Sequence, residues 1–515
     1  MRRSGHRIPA GRRCTKRVLL ATLAAGAIAF SGSAQQQPEA VARKLEQLTE
    51  AMARTQAQID QSQRDLNQLR IQIAGLRQQL AANAASPATP VTPSSTQAAS
   101  PQVDAALDDL RERQSIVESQ IATHDQIKVE SESRYPVKVT GLLLFNGFVN
   151  TNQVDMPATP TVATGGSGNT GASVRQTILG FDARGPHLFG AESSADLRVD
   201  FSGNGGSANS AASYAGLYGA NAPALRLRTA HAALAWNRTQ AFFSLDRPIV
   251  SSQTATSLTA VAEPEFSWSG NLWTWNPQLG VAHDVAAGAR ILRLQGALID
   301  VGDAPVLPVA PPPSGASTAE QSRWPGAEAE ISLLGNSGAE VEDHLGVGGY
   351  FAPHTTATGF HYDSWASTLD AHVRLPARFS LSASAYRGLA LGGLGGGAYK
   401  DYVSRLDPDT GGYYHRVLDD VGGWAQLKQT LNSRLEFNAG LGLDEVFAGQ
   451  LRRYAAAQGS SWQNLARNRT YTGNVIFRPS AYLLFSIEYR LLESATVIGA
   501  PATSNVIGIA AGYKF

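Results

Sequence analysis

The sequence is poor in cysteine and methionine, and it lacks the long apolar runs of a helical membrane protein. Among 515 residues there are 1 Cys and 3 Met. The cysteine is Cys14, so the chain after it has no thiol for a disulfide framework or a thiolate metal site. After residue 34, no stretch reaches the roughly 18 consecutive apolar residues that a membrane-spanning helix needs. These absences exclude a disulfide-rich scaffold and a helical membrane protein.

The N-terminus carries positive charge with no negative charge. Positions 1–34 hold seven basic residues and no acidic one. The basic residues precede a short apolar stretch at 18–30 and the small residues Gly32, Ser33 and Ala34. This order predicts a secretory signal peptide at 1–34, because about 13 apolar residues are too few to span a membrane. Its removal leaves 36 of the 43 Lys+Arg against all 42 Asp+Glu, a mildly acidic balance that argues against a nucleic-acid partner.

Residues 38–83 have the heptad pattern of a coiled coil. Apolar residues seven apart form one series: Leu45, Met52, Ile59, Leu66, Ile73 and Leu80. A second series falls between them: Val41, Leu48, Thr55, Ser62, Leu69 and Leu76. Two or three chains fit this pattern, because Ile and Leu mix at both positions. A linker rich in Pro, Ser and Thr follows at 84–101, and an apolar stripe predicts a second helix at 102–133, so we expect a periplasmic stalk.

The C-terminal residues 505–515 alternate with period two. Ile507, Ile509, Tyr513 and Phe515 share one face, and small or polar residues occupy the other. The length fits the roughly 9–11 residues of a tilted transmembrane strand. An edge strand of a soluble sheet is the alternative, although such an exposed apolar edge favours aggregation. The terminal aromatic residue also resembles the signal that hands outer-membrane proteins to their insertion machinery.

From residue 137 onward, short alternating segments follow one another, and we count sixteen of them. Their ranges are 137–149, 174–184, 193–202, 225–236, 240–249, 272–285, 289–300, 326–334, 344–354, 362–375, 379–391, 422–431, 433–445, 468–478, 481–493 and 505–515. Connections after even-numbered segments are short, whereas most of those after odd-numbered segments are long. Short periplasmic turns opposite long extracellular loops are typical of outer-membrane barrels. The sequence therefore predicts an all-β, 16-stranded antiparallel transmembrane β-barrel of the porin type over 135–515.

Charged residues share one face of the alternating segments. We expect this face to line the lumen, because a charge on the lipid face costs about 2–4 kcal/mol near the midplane. The predicted lumenal residues are Asp182, Asp196, Arg198, Asp200, Asp370, Arg374, Arg434, Glu436, Glu488 and Arg490. Sixteen strands enclose an aqueous channel rather than a packed core. Aromatic residues near strand ends are predicted to contact the membrane interface. They are Trp273, Trp275, Trp365, Tyr471, Tyr482, Tyr513 and the terminal Phe515.

The segment 225–236 departs from this alternation. Arg226 and Arg228 share a face with Leu234 and Trp236, so charged and apolar residues fall on the same side. Either a β-bulge shifts the register, or this wall is a contact between protomers that its small alanines bring close together. The pattern alone leaves both explanations open.

Short motifs spread over 135–515 resemble a known family. They are RQTILGFDARGP at 175–186, DLRVDF at 196–201, LRLRTAHAAL at 225–234, WNPQ at 275–278 and the terminal GYKF at 512–515. At these residues the chain resembles coiled-coil-bearing trimeric porins, especially the DcaP-like outer-membrane porins. The resemblance implies a homotrimer in the outer membrane and passive uptake of small hydrophilic, often anionic, solutes past lumenal arginines. The arginines that it maps here are Arg175, Arg184, Arg198 and Arg228.

Residues that would suggest enzyme or metal chemistry lack the spacing for it. Glu328 and Glu330 are explained as lumenal charges on one strand face. The scattered histidines lack metal-ligand spacing: His344, His354, His361 and His372. The charged loop 401–420 either folds into the lumen as a constriction or stays at the surface.

We therefore expect an outer-membrane porin with no catalytic residue, cofactor or metal, surrounded by membrane lipid. Selectivity would come from the pore radius and the lumenal charges. Two alternatives remain. One is a structural or adhesive barrel tethered by the stalk. The other is a barrel hydrolase, in which His231 would need a serine beside it on the outer face.

Overall fold

The computed structural model describes residues 137–203, 224–308, 315–335, 343–456 and 462–515. The predicted signal peptide, coiled coil, linker and second helix, at 1–34, 38–83, 84–101 and 102–133, lie outside the described residues.

The described chain is built almost entirely from β-strands. In order they are β1 Val137–Val154, β2 Ala163–Ser173, β3 Ile178–Arg184, β4 Glu192–Asp200, β5 Arg226–Ala235, β6 Thr239–Asp246, β7 Asn276–Ala287, β8 Arg290–Ile299, β9 Gly326–Gly335, β10 His344–Thr355, β11 His361–Leu375, β12 Phe379–Leu389, β13 Tyr402–Leu406, β14 Tyr413–Val417, β15 Asp419–Thr430, β16 Leu435–Val446, β17 Leu465–Phe477, β18 Leu483–Thr496 and β19 Ala502–Lys514. Two short α-helices lie in connections, α1 Thr318–Ser322 and α2 Ala448–Leu451. Within the described ranges, no helix is long and apolar enough to cross a membrane.

All strands except the β13–β14 hairpin form one closed antiparallel sheet. The first half of β1 pairs with β3 and the second half with β2, so β2 and β3 are two parts of one wall strand. The wall therefore has 16 strands. The strand β19 pairs with β1 from Leu142↔Lys514 to Asn150↔Val506, which closes the sheet into the barrel that the sequence predicts.

Several strand boundaries differ from the sequence prediction by a few residues, and two of the differences change the assignment of a segment. Residues 163–173, predicted as part of a long loop, form β2, because their many small residues let this segment run close beside β1. The strand predicted at 272–285 begins only at Asn276, since the residues before it belong to a loop inside the barrel. The loop 401–420 contains the β13–β14 hairpin, whose base is buried at Tyr402 and Val403 and whose far end is exposed.

The outer face of the barrel is apolar. Exposed apolar side chains alternate along the wall strands, as in Leu279 and Val281 of β7 and in Phe485 and Ile487 of β18. In water this exposed band would be unfavourable, whereas lipid accepts it. The terminal Phe515 lies over Gly141 of β1, where an added Cβ would come within 2.4 Å of the phenyl ring. The barrel wall therefore shows the apolar outer face that the sequence predicts.

The largest buried apolar cluster lies inside one mouth of the barrel. It joins Trp268 and Trp273 to Tyr399 and to wall residues such as Val446 and Leu465. Trp268 stacks on Tyr399 with ring centroids 4.0 Å apart, and it meets Trp273 edge to face at 5.9 Å. We call this mouth the loop end, because the long connections lie there, and we call the opposite mouth the turn end. The core of the molecule thus consists of loop residues packed against the inner wall.

Candidate functional site

The connection between β6 and β7, residues 247–275, folds into the barrel, and we call it the lumen loop. The two strands that it joins are neighbours, since Asp246 is directly opposite Asn276, yet the connection is not a short turn. Instead it contacts β10 and β11 near Val250 and Ser252, and it then reaches β15 where Thr256 N donates to Gln426 Oε1 over 2.7 Å. The lumen loop is therefore the element that narrows the lumen.

The middle of the lumen loop is bonded to polar side chains of the far wall. Glu488 of β18 accepts hydrogen bonds from Ser257 Oγ, at 2.6 Å, and from Thr259 Oγ1. Asn146 of β1 donates to the Leu258 carbonyl at 2.8 Å. Buried polar groups need partners, and in this region the side chains and the backbone of the loop supply them. The loop is held by these bonds rather than suspended in the lumen.

Gln176 extends this wall contact to the residues between β2 and β3. Its side-chain amide donates to the Thr259 carbonyl over 2.9 Å, and its oxygen accepts from Val261 N over 2.7 Å. Both polar atoms of one glutamine are therefore used to fix the loop backbone. Gln176 lies in the break between β2 and β3, where the chain leaves the regular strand, and from there its side chain reaches the lumen loop.

The second half of the lumen loop returns across the opposite wall. Phe266 stacks on Trp424 of β15 with centroids 5.7 Å apart, and Asn468 of β17 donates to the Trp268 carbonyl over 2.9 Å. Gly270 adopts φ +101°, and its Cα faces the backbone of Gly423 so closely that a Cβ would lie 2.1 Å from the Gly423 oxygen. Only glycine fits this crossing, both in its backbone conformation and in its space.

We expect Gly270→Ala to destabilise the folded barrel more than Gly499→Ala does. Both glycines have nearly the same positive φ, +101° and +98°, but a Cβ at Gly499 would have only one neighbour, 3.9 Å away. The conformational cost of about 1 kcal/mol is shared, while the clash at Gly270 should add about 1–3 kcal/mol. The measurement is the temperature at which the folded gel band is lost. Equal midpoints for the two variants would show that the crossing is not tightly packed.

Two arginines of β5, Arg226 and Arg228, lie side by side in the lumen around Asp200, and we call them the arginine cluster. Arg226 forms an ion pair with the fully buried Asp200 at 2.6 Å, and Arg228 lies 3.7 Å from the same carboxylate. Arg226 also donates to the Ala262 carbonyl at 2.8 Å, and Arg228 donates to the Val261 carbonyl. The side chains of Arg226 and Arg228 remain 25% and 16% exposed. Two cations around one acid leave a net positive patch that is open to the lumen.

A bulge in β5 explains how both arginines face inward. The β4–β5 register shifts between Arg198↔Thr229 and Val199↔Leu227, which leaves Arg228 as the extra residue. Of the two explanations for the mixed face of 225–236, the register shift is the one that the strand pairing shows. Beyond the bulge, Ala230 and Ala232 lie on the outer face.

Trp275 belongs to the arginine cluster and not to the membrane interface. The guanidinium carbons of Arg226 and Arg228 each lie 5.0 Å from the centre of its ring. Such cation–π contacts hold the guanidinium planes in place. The prediction that Trp273 and Trp275 contact the membrane interface is therefore wrong for both, because Trp273 is buried in the cluster at the loop end.

Acidic side chains face the lumen on the other side of the lumen loop. Glu328 and Glu330 of β9 and Asp370 of β11 are almost fully buried. The lumen loop contacts this acidic wall as well, since Ser252 Oγ is 3.3 Å from Asp370 Oδ2. Basic side chains therefore lie on one side of the lumen loop and acidic side chains on the other.

The lumen loop contributes two carboxyl groups of its own. Burial raises the pKa of Glu263 and the pKa of Glu265 to about 8 each. The negative charge of Glu488 adds to the effect on Glu265. At neutral pH these groups are therefore mainly protonated, and they add little negative charge beside the arginine cluster.

The predicted lumenal residues all lie on the inner face or at its rim, but they do not form one ring. Those beside the lumen loop are Asp200, Arg228, Asp370, Glu488 and Arg490. A separate group lies on β3 and β4, nearer the turn end. There Arg198 pairs with Asp182 at 2.5 Å and lies 3.9 Å from Asp196. The remaining predicted residues are at the turn end or in structural contacts: Arg184, Arg374, Arg434, Glu436 and Arg175.

Two of these residues lie at the turn end, away from the lumen loop. Arg374 pairs with Asp343 at 3.2 Å, and Arg434 is exposed in the turn before β16 rather than within a strand. Of the predicted interface aromatics, Trp365, Tyr513 and Phe515 are exposed on the outside of the barrel. The candidate His231 faces the lumen, 3.7 Å from Asp196, so it is not on the outer face that a lipid hydrolase would require.

Sequence reasoning did not select Arg226, Trp275 or the lumen-loop carboxyls as site residues. The β-bulge that the sequence allows within 225–236 is the signal that points to Arg226. No local pattern marks residues 247–275 as a segment that folds inward, because their contacts are with distant strands.

A closed antiparallel barrel with an apolar outer face, a charged inner face and an inward-folded loop is a porin-type β-barrel. The outer membrane channel DcaP of Acinetobacter baumannii has this fold, with a TM-score of 0.56 and 15% sequence identity, over 74% of this chain and 99% of that chain. The resemblance to DcaP-like porins is thus confirmed at the level of the fold.

Two further solved structures align with lower TM-scores. The anion-selective porin from Comamonas acidovorans aligns with a TM-score of 0.43 and 12% identity, over 74% of this chain and 100% of that chain. OmpT of Vibrio cholerae aligns with a TM-score of 0.40 and 10% identity, over 74% and 98%. No family model and no curated protein matches the sequence.

Proposed function

We propose that this protein is an outer-membrane porin through which small hydrophilic solutes diffuse passively past the lumen loop. The observation that carries the proposal is the position of the arginine cluster and the acidic wall, which flank a loop folded into a porin-type barrel. In this arrangement a solute is selected by its size and charge, and no covalent chemistry is required.

The charge at the narrowed region favours anions. Arg226 and Arg228 carry two positive charges against the single charge of Asp200, and the neighbouring carboxyls Glu263 and Glu265 have a pKa raised by burial. The acidic wall beyond the loop opposes this preference. We therefore propose a weak preference for anions rather than a dedicated anion-binding site.

The assembled form is proposed to be a homotrimer with a periplasmic stalk. The heptads of 38–83 would bring chains together, and the small outward residues Ala230 and Ala232 would let barrel walls approach closely. Trp365 and Tyr513 would contact the membrane interface, and Phe515 would end the strand that the insertion machinery recognises.

Planar-bilayer recording of the refolded, signal-free protein tests the proposal. We expect ohmic conductance that closes in three equal steps, and a reversal potential under a KCl gradient that indicates weak anion preference. A folded barrel with no conductance would contradict the porin function and would favour a structural or adhesive barrel. Steps that close singly would retain the porin but contradict the trimer.

A further inference from the structure

Three potential metal-binding side chains meet on the acidic wall. Glu330 lies on β9, His344 on β10 and Asp370 on β11, and one donor atom from each lies within 4.8 Å of the other two. His344 Nε2 is 2.6 Å from Asp370 Oδ2 and 3.5 Å from Glu330 Oε1. Adjacent strands bring them together, although 14 and 26 residues separate them along the chain.

Gly346 leaves an open position between these three donors. A Cβ on Gly346 would lie 2.7 Å from Glu330 Oε1, 2.8 Å from His344 Nε2 and 2.9 Å from Asp370 Oδ2. A side chain at this position would crowd all three donor atoms, so the glycine keeps the space beside them free. Zinc binds such oxygen and nitrogen donors at about 2.0–2.2 Å, so small side-chain rotations would bring them within bonding distance.

The charge and hydrogen bonding of the three residues also point to a cation. Glu330 and Asp370 are each 2% exposed, and Glu330 Oε2 has no hydrogen-bond partner within the described part of the chain. Two buried carboxylates beside one imidazole are unfavourable unless something compensates them. Arg293 and Arg247 also act electrostatically on Glu330 and Asp370, respectively, but they bond directly to Asp284, at 2.7 Å, and to the Ser252 and Gln253 carbonyls.

We propose that Glu330, His344 and Asp370 form a binding site for one first-row divalent transition cation, such as Zn²⁺, in the lumen wall. Two carboxylates and a neutral imidazole balance a double positive charge and match the donor preference of such ions. Ser252 Oγ, 3.3 Å from Asp370 Oδ2, connects the site to the lumen loop. A solvent molecule would complete the coordination.

Zinc binding to the refolded barrel tests this site. The protein is prepared without a histidine tag, stripped with chelator and titrated with ZnCl₂ by calorimetry. We expect one Zn²⁺ per chain at micromolar free zinc. Since Gly346→Ala places a methyl group among the donors, and His344→Gln removes the nitrogen, each should weaken binding at least about tenfold, because even the loss of an outer-shell partner costs about 10–100-fold in metal affinity. Gly349→Ala is the matched control, because a Cβ there has one neighbour, 3.9 Å away.

The site is contradicted if the wild-type barrel binds no zinc, or if Gly346→Ala and His344→Gln bind it as well as Gly349→Ala does. Folding of each variant is checked by its heat-modifiable gel shift. If a variant does not refold, Co²⁺ is added to the unaltered barrel, and its visible absorption shows whether the site binds a metal ion. A spectrum of low-symmetry bound Co²⁺ supports the site, and a purely aqueous spectrum overturns it. Neither measurement depends on whether the barrel conducts.

Discussion

Replacing residues 247–275 by a short Asn-Gly turn should raise the single-channel conductance by about two- to fivefold, because the cross-section of a sixteen-stranded lumen would then be limited by its wall. The replacement is geometrically possible. Asp246 and Asn276 are directly paired at the ends of β6 and β7, so a two-residue hairpin turn can join them. The expected increase is large because the lumen loop runs around the inside of the barrel. Its wall contacts begin with Val250 beside β10, continue with β15, β18, β1 and β5 in turn, and end with Trp273 near the end of β12.

A second loop deletion provides the matched control. Replacing residues 406–413 at the far end of the β13–β14 hairpin by the same Asn-Gly turn removes exposed residues such as Leu406 and Tyr413. We expect the conductance of this variant to equal that of the wild type. An increase in the control and not in the lumen-loop variant would identify the hairpin as the constriction.

The lumen-loop deletion exposes wall residues that now have loop partners, so its folding must be measured. Glu488 would lose its bonds to Ser257 and Thr259, and Asn146 would lose the Leu258 carbonyl. These polar groups face a lumen that water would enter, so the cost is smaller than in a dry core. A heat-modifiable gel shift like that of the wild type would show that the wall closes without the loop.

The barrel wall could be predicted because its determinants are local. Alternation between lipid and lumen repeats every two residues, and the turn at 376–378, for example, separates two strands that are neighbours in both sequence and space. The same reasoning located the closing strand at 505–515 and suggested the bulge in β5. Each of these features can be recognised within a window of about a dozen residues.

The lumen could not be predicted to the same depth, since its contacts join residues far apart in the chain. Trp275 follows a segment with no regular period, and its role depends on Arg226 and Arg228 in a strand that ends forty residues earlier. The triad around Gly346 shows the same limit. Metal-ligand spacing is recognisable in one helix or loop, whereas three neighbouring strands supply ligands at separations that their connections happen to set.

Opposite changes of charge at the arginine cluster should shift ion selectivity in opposite directions. Arg228→Gln removes a positive charge but keeps a donor for the Val261 carbonyl, so we expect relatively more cation permeation. Asp200→Asn removes the acid between Arg226 and Arg228 and keeps an acceptor, so we expect relatively more anion permeation. A unit charge at about 4 Å contributes roughly 1 kcal/mol in water and more near a low-dielectric wall.

The permeability ratios of these two variants should therefore differ by about five- to tenfold at low salt, where screening is weakest. The measurement is the reversal potential of single channels under a KCl gradient. Arg434→Gln is the control, because Arg434 is exposed in a turn outside the narrowed region, and its reversal potential should match that of the wild type. A shift of the same sign in Arg228→Gln and Asp200→Asn, or an equal shift in the control, would show that selectivity arises elsewhere. Opposite shifts would identify the arginine cluster beside the lumen loop as the region that a permeating ion meets.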